Sequence, residues 1–204
     1  MLANSITVVR IHAGVAAEKD LAHVDARGWE LPSPCAGWTV HDVVAHLVDG
    51  ARTTRPGFLA GLAAAGFDFD RLNARGVARE RGASPRDTLD RLRRVAARTS
   101  GPPRLVEEVV HGEDVRRPLG IARSYPLEAV VRALRLQVRT PVSFGGAKEP
   151  AAGVRLVAVD ADAPIGEGPE VAGTALALLL AVCGRPVADD ELHGPGRATL
   201  VRVS

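Results

Sequence analysis

The chain has 204 residues, of which 46% are hydrophobic and 25% are charged, and its 26 basic and 24 acidic side chains give a formal net charge of +2. This much apolar material is enough for one packed core with a small annex, which excludes a disordered or collagen-like chain. The nearly balanced charge gives no reason to expect nucleic acid or an anionic membrane as partner. The longest apolar run, residues 172–183, is too short for a membrane span.

Cysteine content and the N-terminal sequence indicate a reducing environment. The two cysteines, Cys35 and Cys183, are too few for a disulfide framework or an all-thiolate metal site. No basic residue precedes Arg10 and no long apolar segment follows, so the N-terminus is not typical of a signal peptide. We therefore expect a cytoplasmic protein.

Aromatic residues make up only 3% of the chain, so we expect a core of Ala, Val and Leu side chains, which favours closely packed helices. The apolar periodicity predicts a first helix over residues 5–27 that ends at Gly28, followed by a loop over residues 31–38. Thr39 is the predicted N-cap of a second helix, with Asp42 at its third position.

The apolar stripe of the second helix fades towards residues 61–66. A third helix is predicted over residues 85–98 with Ser84 as its cap, a short one after Gly101 and another that opens at Pro126. Four or five amphipathic helices of this kind predict an antiparallel bundle.

A change of period predicts two domains, a helical bundle over residues 1–143 and a small α+β module over residues 154–204, joined by a linker over residues 144–153. In the module we expect a buried helix over residues 172–183. We also expect three strands, at residues 154–159, 165–171 and 198–203. The predicted fold class is mainly α. The module is expected to dock on the bundle, because a segment of its size has too little apolar surface to form a stable core alone.

Arginine is concentrated between residues 71 and 104, where ten arginines accompany three acidic residues. Such a strip could bind a nucleic-acid backbone. However, the segment has no aromatic side chain on which a base could stack, and its arginines spread over the exposed face of an ordinary helix. The favoured interpretation is a solvated surface, and no nucleic-acid partner is expected.

Three of the six histidines follow an acidic residue by four positions, which puts both side chains on one helical face. The pairs are Asp42 with His46, Glu107 with His111, and Asp189 with His193. Each could be no more than a helix-stabilising surface pair. Glu107 and His111 have a second interpretation, because an imidazole and a carboxylate one turn apart supply two ligands for a divalent cation. His46 is then the best source of a third ligand, with Asp42 available to support its ring.

Helical geometry places such a site away from the centre of the core. At about 100° per residue, His46 lies at the edge of its helix's apolar stripe, and Glu107 and His111 lie further from the centre of theirs. We therefore expect the site in a groove at one end of the bundle, covered by the loop that carries Trp38 or by the C-terminal module.

Residues 32–47, PSPCAGWTVHDVVAHL, resemble the opening signature of the DinB-like, mycothiol-dependent maleylpyruvate isomerase family. Residues 111–120, HGEDVRRPLG, are similar to the family's second signature, and residues 166–186 resemble its C-terminal part. The resemblance implies a DinB-like four-helix bundle with a small α+β module. It also implies a metal held by three side chains, His46, Glu107 and His111.

The same resemblance implies an enzyme that uses mycothiol as co-substrate with a divalent metal, most simply zinc. The metal would bind the mycothiol sulfur and lower its pKa, and the thiolate would add to a small electrophile. Loss of the thiol after rotation gives cis-trans isomerisation, and its retention gives S-transfer. Arg185 is the candidate catalytic arginine that would hold a substrate carboxylate. Supporting or substrate-binding roles are expected for Asp42, Asp114, Arg116 and Arg117.

Two alternatives stay open at this stage. The chain could be a non-catalytic bundle that binds a metal or a small ligand, or, less favoured, a basic bundle that binds nucleic acid through the arginines of residues 71–104. Cys35 is not assigned as a nucleophile, because a loop cysteine without a basic neighbour in sequence is more often a packing residue.

Overall fold

The computed structural model describes residues 19–96, 103–162 and 164–201. The chain divides into two compact units, residues 1–123 and residues 124–204. Within the described ranges, no helix combines the length and the apolar character needed to cross a bilayer.

The first unit is built from helices, which we number α1 (Ala26–Trp29), α2 (Val40–Arg52), α3 (Arg55–Ala64), α4 (Phe69–Glu80), α5 (Pro85–Ala96) and α6 (Pro103–Arg116). Helix α2 is the central element and packs against α4, α5 and α6. Its predicted apolar stripe faces the predicted stripe of α5, and both are buried in one cluster that contains Val40, Val43, Val44, Val48, Leu89, Leu92 and Val95. Burial of this stripe is the main source of helix stability in such a bundle.

Capping boxes begin α2 and α5 at the residues that the sequence predicts. At α2, the Thr39 N–H donates to Asp42 Oδ2 at 2.9 Å and the Asp42 N–H donates to Thr39 Oγ1 at 3.3 Å. Ser84 and Asp87 form the same pair of bonds at α5. These bonds satisfy backbone donors that the helix leaves free, so they fix where each helix begins.

The segment before α2 differs from the prediction. Residues 5–18 of the predicted first helix lie outside the described residues, and Gly28 lies inside the short helix α1 instead of ending a helix. Asp25 caps α1 by accepting from the Gly28 N–H at 2.8 Å. A Cβ at Gly28 would lie 2.6 Å from Val24 Cγ1 and 3.0 Å from Leu119 Cδ2. The glycine is therefore required by close packing.

Helices α3 and α4 of the first unit are not predicted as separate helices by the sequence pattern. The apolar stripe of the predicted second helix fades because α2 ends at Arg52 and a new helix, α3, begins after its own N-cap, Thr54. Helix α4 was not predicted at all. It buries only Gly76, Val77 and Glu80, so its sequence has almost no apolar stripe.

The second unit contains α7 (Leu127–Gln137), a 3-10 turn (Val142–Phe144), β1 (Arg155–Ala158), β2 (Glu170–Gly173), α8 (Ala175–Val182), β3 (Leu192–His193) and α9 (Arg197–Val201). The strands form a sheet in the order β1-β2-β3, with β1 parallel to β2 and β2 antiparallel to β3. Helix α8 is buried along nearly its whole length and packs against α7, β1 and β2. The fold is thus mainly α with a small sheet, as predicted.

The second unit begins earlier than the predicted module. Helix α7 was assigned to the bundle, but its buried face packs on α8. The predicted linker is packed as well, since Ala147 is fully buried and its N–H donates to the Gln137 carbonyl at 2.9 Å. A glycine- and proline-containing segment is here part of a folded unit.

Two predicted strands are wrong in extent or type. The second strand begins at Glu170, and Ile165 forms only an isolated bridge with Leu156, because residues 166–169 make a turn. Residues 198–201 of the expected last strand belong to helix α9, residues 202–203 lie outside the described residues, and the third strand is the two-residue β3. A two-residue strand is too short to produce an alternating pattern.

Candidate metal centre

Three side chains of the first unit converge on one point. His46 comes from α2, Glu107 and His111 come from α6, and their ligand atoms all lie within 4.8 Å of one another. His46 Nε2 lies 3.0 Å from Glu107 Oε2, and His111 Nε2 lies 3.3 Å from the same oxygen. The two imidazoles meet edge to face with their centroids 4.7 Å apart. The sequence therefore identified three residues that the fold brings together.

The packing of two helices explains this convergence. Glu107 and His111 are one turn apart on α6, so they share a face. That helix packs against α2, which carries His46. His46 is only 8% exposed, whereas the Glu107 side chain is 42% exposed. The site thus has a buried side and a side that solutes can reach.

A buried carboxylate lies behind His111. Asp114 Oδ2 lies 2.8 Å from His111 Nδ1, and the Asp114 side chain has no exposed surface. A carboxylate only accepts hydrogen bonds, so it holds a proton on Nδ1. When the ring is neutral, its lone pair is then on Nε2, which faces Glu107 and His46.

Trp38 lies against both imidazoles. Its ring centroid is 5.0 Å from that of His46, with the planes tilted by 54°, and 6.4 Å from that of His111, with the planes within 27° of parallel. The loop that carries Trp38 is one of the two covers expected from the sequence. Its half-buried indole forms an apolar wall beside the two histidines.

Electrostatics couple Glu107 and His111 tightly. Burial is the largest single influence on the pKa of each group and opposes its charged form, but the opposite charge of the partner and the hydrogen bonds within the cluster together outweigh it. The pKa of Glu107 is consequently well below its usual range, and that of His111 is raised to about 9, with Asp114 adding to the rise. Without a cation, the site therefore holds a carboxylate and an imidazolium.

The residues fit a divalent cation. Two imidazole nitrogens and one carboxylate oxygen are a donor set that zinc and related transition metals accept, and they leave coordination positions open. Asp114 supplies the partner that a ligating histidine usually has on its other nitrogen. A bound cation would take the place of the proton that His111 otherwise carries.

The expected support of His46 by Asp42 is not found. Asp42 Oδ2 accepts from the backbone N–H and the hydroxyl of Thr39, and Oδ1 accepts from Arg81 Nη1. Both carboxylate oxygens are therefore used at the start of α2. Asp42 lies three residues after Thr39, as a capping box requires, and four residues before His46, as ring support would require, and here the cap takes the carboxylate.

The predicted arginines have partners within the fold. Arg116 is 1% exposed and its Nε donates to Asp20 Oδ2 at 2.6 Å, and Arg117 Nε donates to Glu113 Oε2 at 3.2 Å. Arg185 lies in the second unit, directly after α8, where Nη1 donates to the Cys183 carbonyl at 2.7 Å. Their roles towards a substrate stay predictions.

A buried ion-pair network beside α2 was missed by the sequence analysis. Glu80 of α4 is 4% exposed and accepts from Arg52 Nη1 at 2.8 Å, and Asp49 of α2 pairs with Arg79. Several arginines of the basic strip thus have acidic partners, which are Asp49 for Arg79, Asp42 for Arg81, Glu80 for Arg91 and Asp90 for Arg93. The pairs that involve Arg79 and Glu80 could not be predicted from the sequence, because helix α4, which carries both residues, was not predicted.

Comparison with known proteins identifies the first part of the chain. Residues 12–104 match the family model of the mycothiol maleylpyruvate isomerase N-terminal domain, a range that includes Trp38 and His46 and ends just before Glu107. The resemblance stated from the motifs is therefore confirmed. None of the curated proteins compared with this sequence matches it.

Two solved structures share the fold. One is the crystal structure of a histidine-to-alanine mutant of the mycothiol-dependent maleylpyruvate isomerase, with a TM-score of 0.56 and 14% identity. The other is the crystal structure of a mycothiol-dependent maleylpyruvate isomerase, with a TM-score of 0.54 and 13% identity. Each match covers 92% of this chain and 90% of the other. At this identity, the likeness shows the fold, which is the expected DinB-like one.

Proposed function

We propose that the protein is a metal-dependent enzyme that uses mycothiol as its co-substrate, since residues 12–104 match the family model of the mycothiol maleylpyruvate isomerase N-terminal domain. The metal, zinc in the simplest case, is held by His46, Glu107 and His111. The observation that supports this most strongly is the convergence of three ligand atoms from two separate helices to within 4.8 Å. If Glu107 and His111 formed only a surface pair on α6, there would be no reason for His46 of α2 to meet them at the same point.

The bound metal supplies a Lewis acid that lowers the pKa of a thiol, so that a thiolate exists near neutral pH. The residues of the chain prepare the site for that anion. Glu107 contributes a single negative charge and the two imidazoles contribute none when neutral, so the centre keeps a net positive charge that favours a thiolate. Asp114 holds the proton on His111 Nδ1, and Trp38 excludes water from one side.

We propose cis-trans isomerisation of a small, conjugated carboxylic acid as the reaction, with S-transfer to an electrophile as the second possibility. Addition of the thiolate turns the double bond into a single bond and moves the electron pair onto the conjugated acceptor group, rotation follows, and loss of the thiolate restores the double bond in the trans form. In S-transfer the carbanion takes up a proton from water instead, and the thioether stays. Arg185 is proposed to hold a substrate carboxylate through its guanidinium.

The first experiment measures metal content in protein purified without chelator. Wild-type protein should contain about one divalent ion per chain, and His46→Ala should lose it. His23→Ala is the matched control, because His23 is an exposed histidine of the same unit. Metal retained by His46→Ala at the wild-type level would contradict the ligand assignment.

The second experiment tests for a reaction. Metal-loaded protein is incubated with mycothiol and a panel of cis-configured unsaturated acids and simple electrophiles, and the products are identified by NMR. Trans acids without consumption of thiol indicate an isomerase, and thioether products indicate a transferase. Inactivity towards the whole panel with metal bound would instead favour a non-catalytic metal-binding bundle.

A further inference from the structure

We propose that Trp38 is a positioning residue of the candidate metal centre, and that it fixes the ring of His46 by packing in the way that Asp114 fixes the ring of His111 by hydrogen bonding. The inference rests on the proposed function, since it assumes that the centre holds a cation. It adds a residue that the ligand set does not contain.

The two histidines of the centre are held differently. His111 Nδ1 has Asp114 as a partner at 2.8 Å. His46 Nδ1 is buried and, among the described residues, has no hydrogen-bond partner. A ligating histidine is normally oriented by a bond from its other nitrogen. The bond between His46 Nε2 and Glu107 Oε2, 3.0 Å long, would be replaced when both atoms bind a cation, and no hydrogen bond at Nδ1 then orients the ring, so packing must do so.

Packing by Trp38 supplies that restraint. The indole centroid lies 5.0 Å from the His46 imidazole, a distance typical of a favourable aromatic contact. The same indole also lies against His111 at 6.4 Å. The indole therefore restricts rotation of the His46 ring out of its observed plane, because that rotation would bring the imidazole against the indole.

The backbone holds Trp38 firmly enough to act in this way. The Trp38 carbonyl accepts from the Ser33 N–H at 2.9 Å, and its own N–H donates to the Cys35 carbonyl at 3.1 Å. The next residue, Thr39, is the N-cap of α2, the helix that carries His46. The indole and the imidazole are thus anchored to the same element.

The other tryptophan provides a matched control. Trp29 lies against His41 with centroids 5.5 Å apart, so it makes the same type of contact in the same unit. His41 even has the same bonding pattern as His46, with Nε2 2.7 Å from Thr88 Oγ1 and a buried Nδ1 that has no hydrogen-bond partner among the described residues. His41, however, is not one of the three converging ligands, so its tryptophan should not affect cation binding.

The test measures Co²⁺ affinity by absorption titration and confirms it by Zn²⁺ competition. We expect Trp38→Ala to weaken binding about tenfold or more, the range seen when the support of a ligand is removed. Trp38→Phe, which keeps an aromatic face against His46, should restore most of the affinity, and Trp29→Phe should leave it unchanged. Circular dichroism of each variant establishes that it is folded.

A combined variant tests whether Trp38 and Asp114 act on different rings. In an Asp114→Asn background, which is expected still to bind the cation, Trp38→Ala should weaken binding by the same factor as it does in the wild type, because the two residues restrain different imidazoles. A much smaller factor in that background, or wild-type affinity in a folded Trp38→Ala variant, would overturn the inference.

The same titration distinguishes this inference from the proposed function. Co²⁺ binding by the wild-type chain with no effect of Trp38→Ala removes only the role of Trp38. Absence of Co²⁺ binding by the wild-type chain overturns the proposed metal centre and this inference with it. As a second readout, Co²⁺ should quench the fluorescence of Trp29→Phe, in which Trp38 is the remaining indole, more strongly than that of Trp38→Phe.

Discussion

His111 Nδ1 lies 2.8 Å from Asp114 Oδ2, and Asp114 is completely buried. A buried carboxylate is costly unless its partner is charged or held in place, so the pair ties the interior of the unit to the candidate metal centre. We predict that Asp114→Asn lowers metal affinity by about tenfold to a hundredfold, because it removes the charge behind a ligating ring.

The affinity of Asp114→Asn is compared with that of Asp90→Asn. Asp90 is a partly exposed carboxylate of the same unit that pairs with Arg93 and should not affect the metal. Thermal unfolding of the metal-free variants shows how much of any change is due to stability. Unchanged affinity in Asp114→Asn would remove it from the support of His111.

Cation binding is expected to release a proton. In the metal-free protein the pKa of His111 is raised to about 9, so at pH 7 its ring is protonated, whereas a ligand nitrogen must carry a free lone pair. About one proton per cation should therefore leave His111 at pH 7. Metal affinity should rise by up to tenfold per pH unit until about pH 9 and then level off. Glu107 adds nothing in this range, since its pKa is well below its usual value.

Isothermal titration calorimetry in buffers with different ionisation enthalpies measures this release directly. The slope of the observed enthalpy against the buffer enthalpy gives the number of protons. His111→Gln should release fewer protons as well as bind more weakly. Cation binding at pH 7 without proton release would show that His111 is not displaced from its imidazolium form.

Two glycines of the first unit should respond to alanine in opposite ways. In α4, a Cβ at Gly76 would lie 2.2 Å from Asp49 Oδ2, and Asp49 is largely buried and paired with Arg79. Gly76→Ala must displace that carboxylate, so we predict a loss of about 1–3 kcal/mol in the free energy of unfolding. In α2, nothing lies within 4 Å of a Cβ at Gly50. Gly50→Ala should therefore stabilise the protein by up to about 1 kcal/mol.

Urea unfolding of the two variants at pH 7 checks this pair of predictions. The sign is the critical result, since helix propensity alone predicts stabilisation in both cases. If Gly76→Ala were as stable as the wild type, Asp49 would be free to move and the ion-pair network beside α2 would be less rigid than its burial indicates.

The sequence contained enough information to predict which side chains converge at the candidate metal centre, but not to assign the residues around them. Glu107 and His111 share a face by spacing alone, and the strong stripe of α2 fixes where His46 points, so their convergence could be predicted. Asp42 could not be assigned in the same way, because it has the spacing to Thr39 that capping needs and also the spacing to His46 that ring support needs. Only the position of Arg81 and Thr39 shows which one occurs.

Helices and strands without a periodic pattern of apolar residues could not be predicted from the sequence either. Helix α4 buries a glycine and an ion-paired carboxylate, so its stabilising contacts are to residues distant in sequence. Helix α9 was predicted as a strand for a similar reason, since contacts with residues distant in sequence determine its conformation. The close approach of Gly196 to the Pro169 carbonyl, 2.5 Å from a Cβ at that position, sets the path of the chain there. Such tertiary contacts override local propensity.

The capping box of α2 should be stronger than that of α5 and should weaken in acid. Asp42 accepts from Thr39 and from Arg81, whereas the Asp87 carboxylate of α5 is exposed and accepts from Ser84. We predict that Asp42→Ala costs about 1–2 kcal/mol at pH 7 and Asp87→Ala about 0.5–1 kcal/mol. The Arg81 pair adds only a modest part, because its guanidinium is partly exposed.

The pH dependence follows from the pKa of Asp42. Burial acts to raise this pKa, but hydrogen bonds from Thr39 and the charge of Arg81 outweigh it, so the folded-state pKa lies below the ordinary value of about 3.9. A carboxyl group with a lowered folded-state pKa stabilises the protein fully above its unfolded pKa and loses that contribution as the pH falls through the folded-state pKa. The cost of Asp42→Ala in urea unfolding should thus be constant from pH 7 to about pH 5 and shrink below about pH 4. A cost that stayed the same down to pH 3 would mean that Asp42 stabilises α2 without its charge, and the contribution of Arg81 would then have to be discarded.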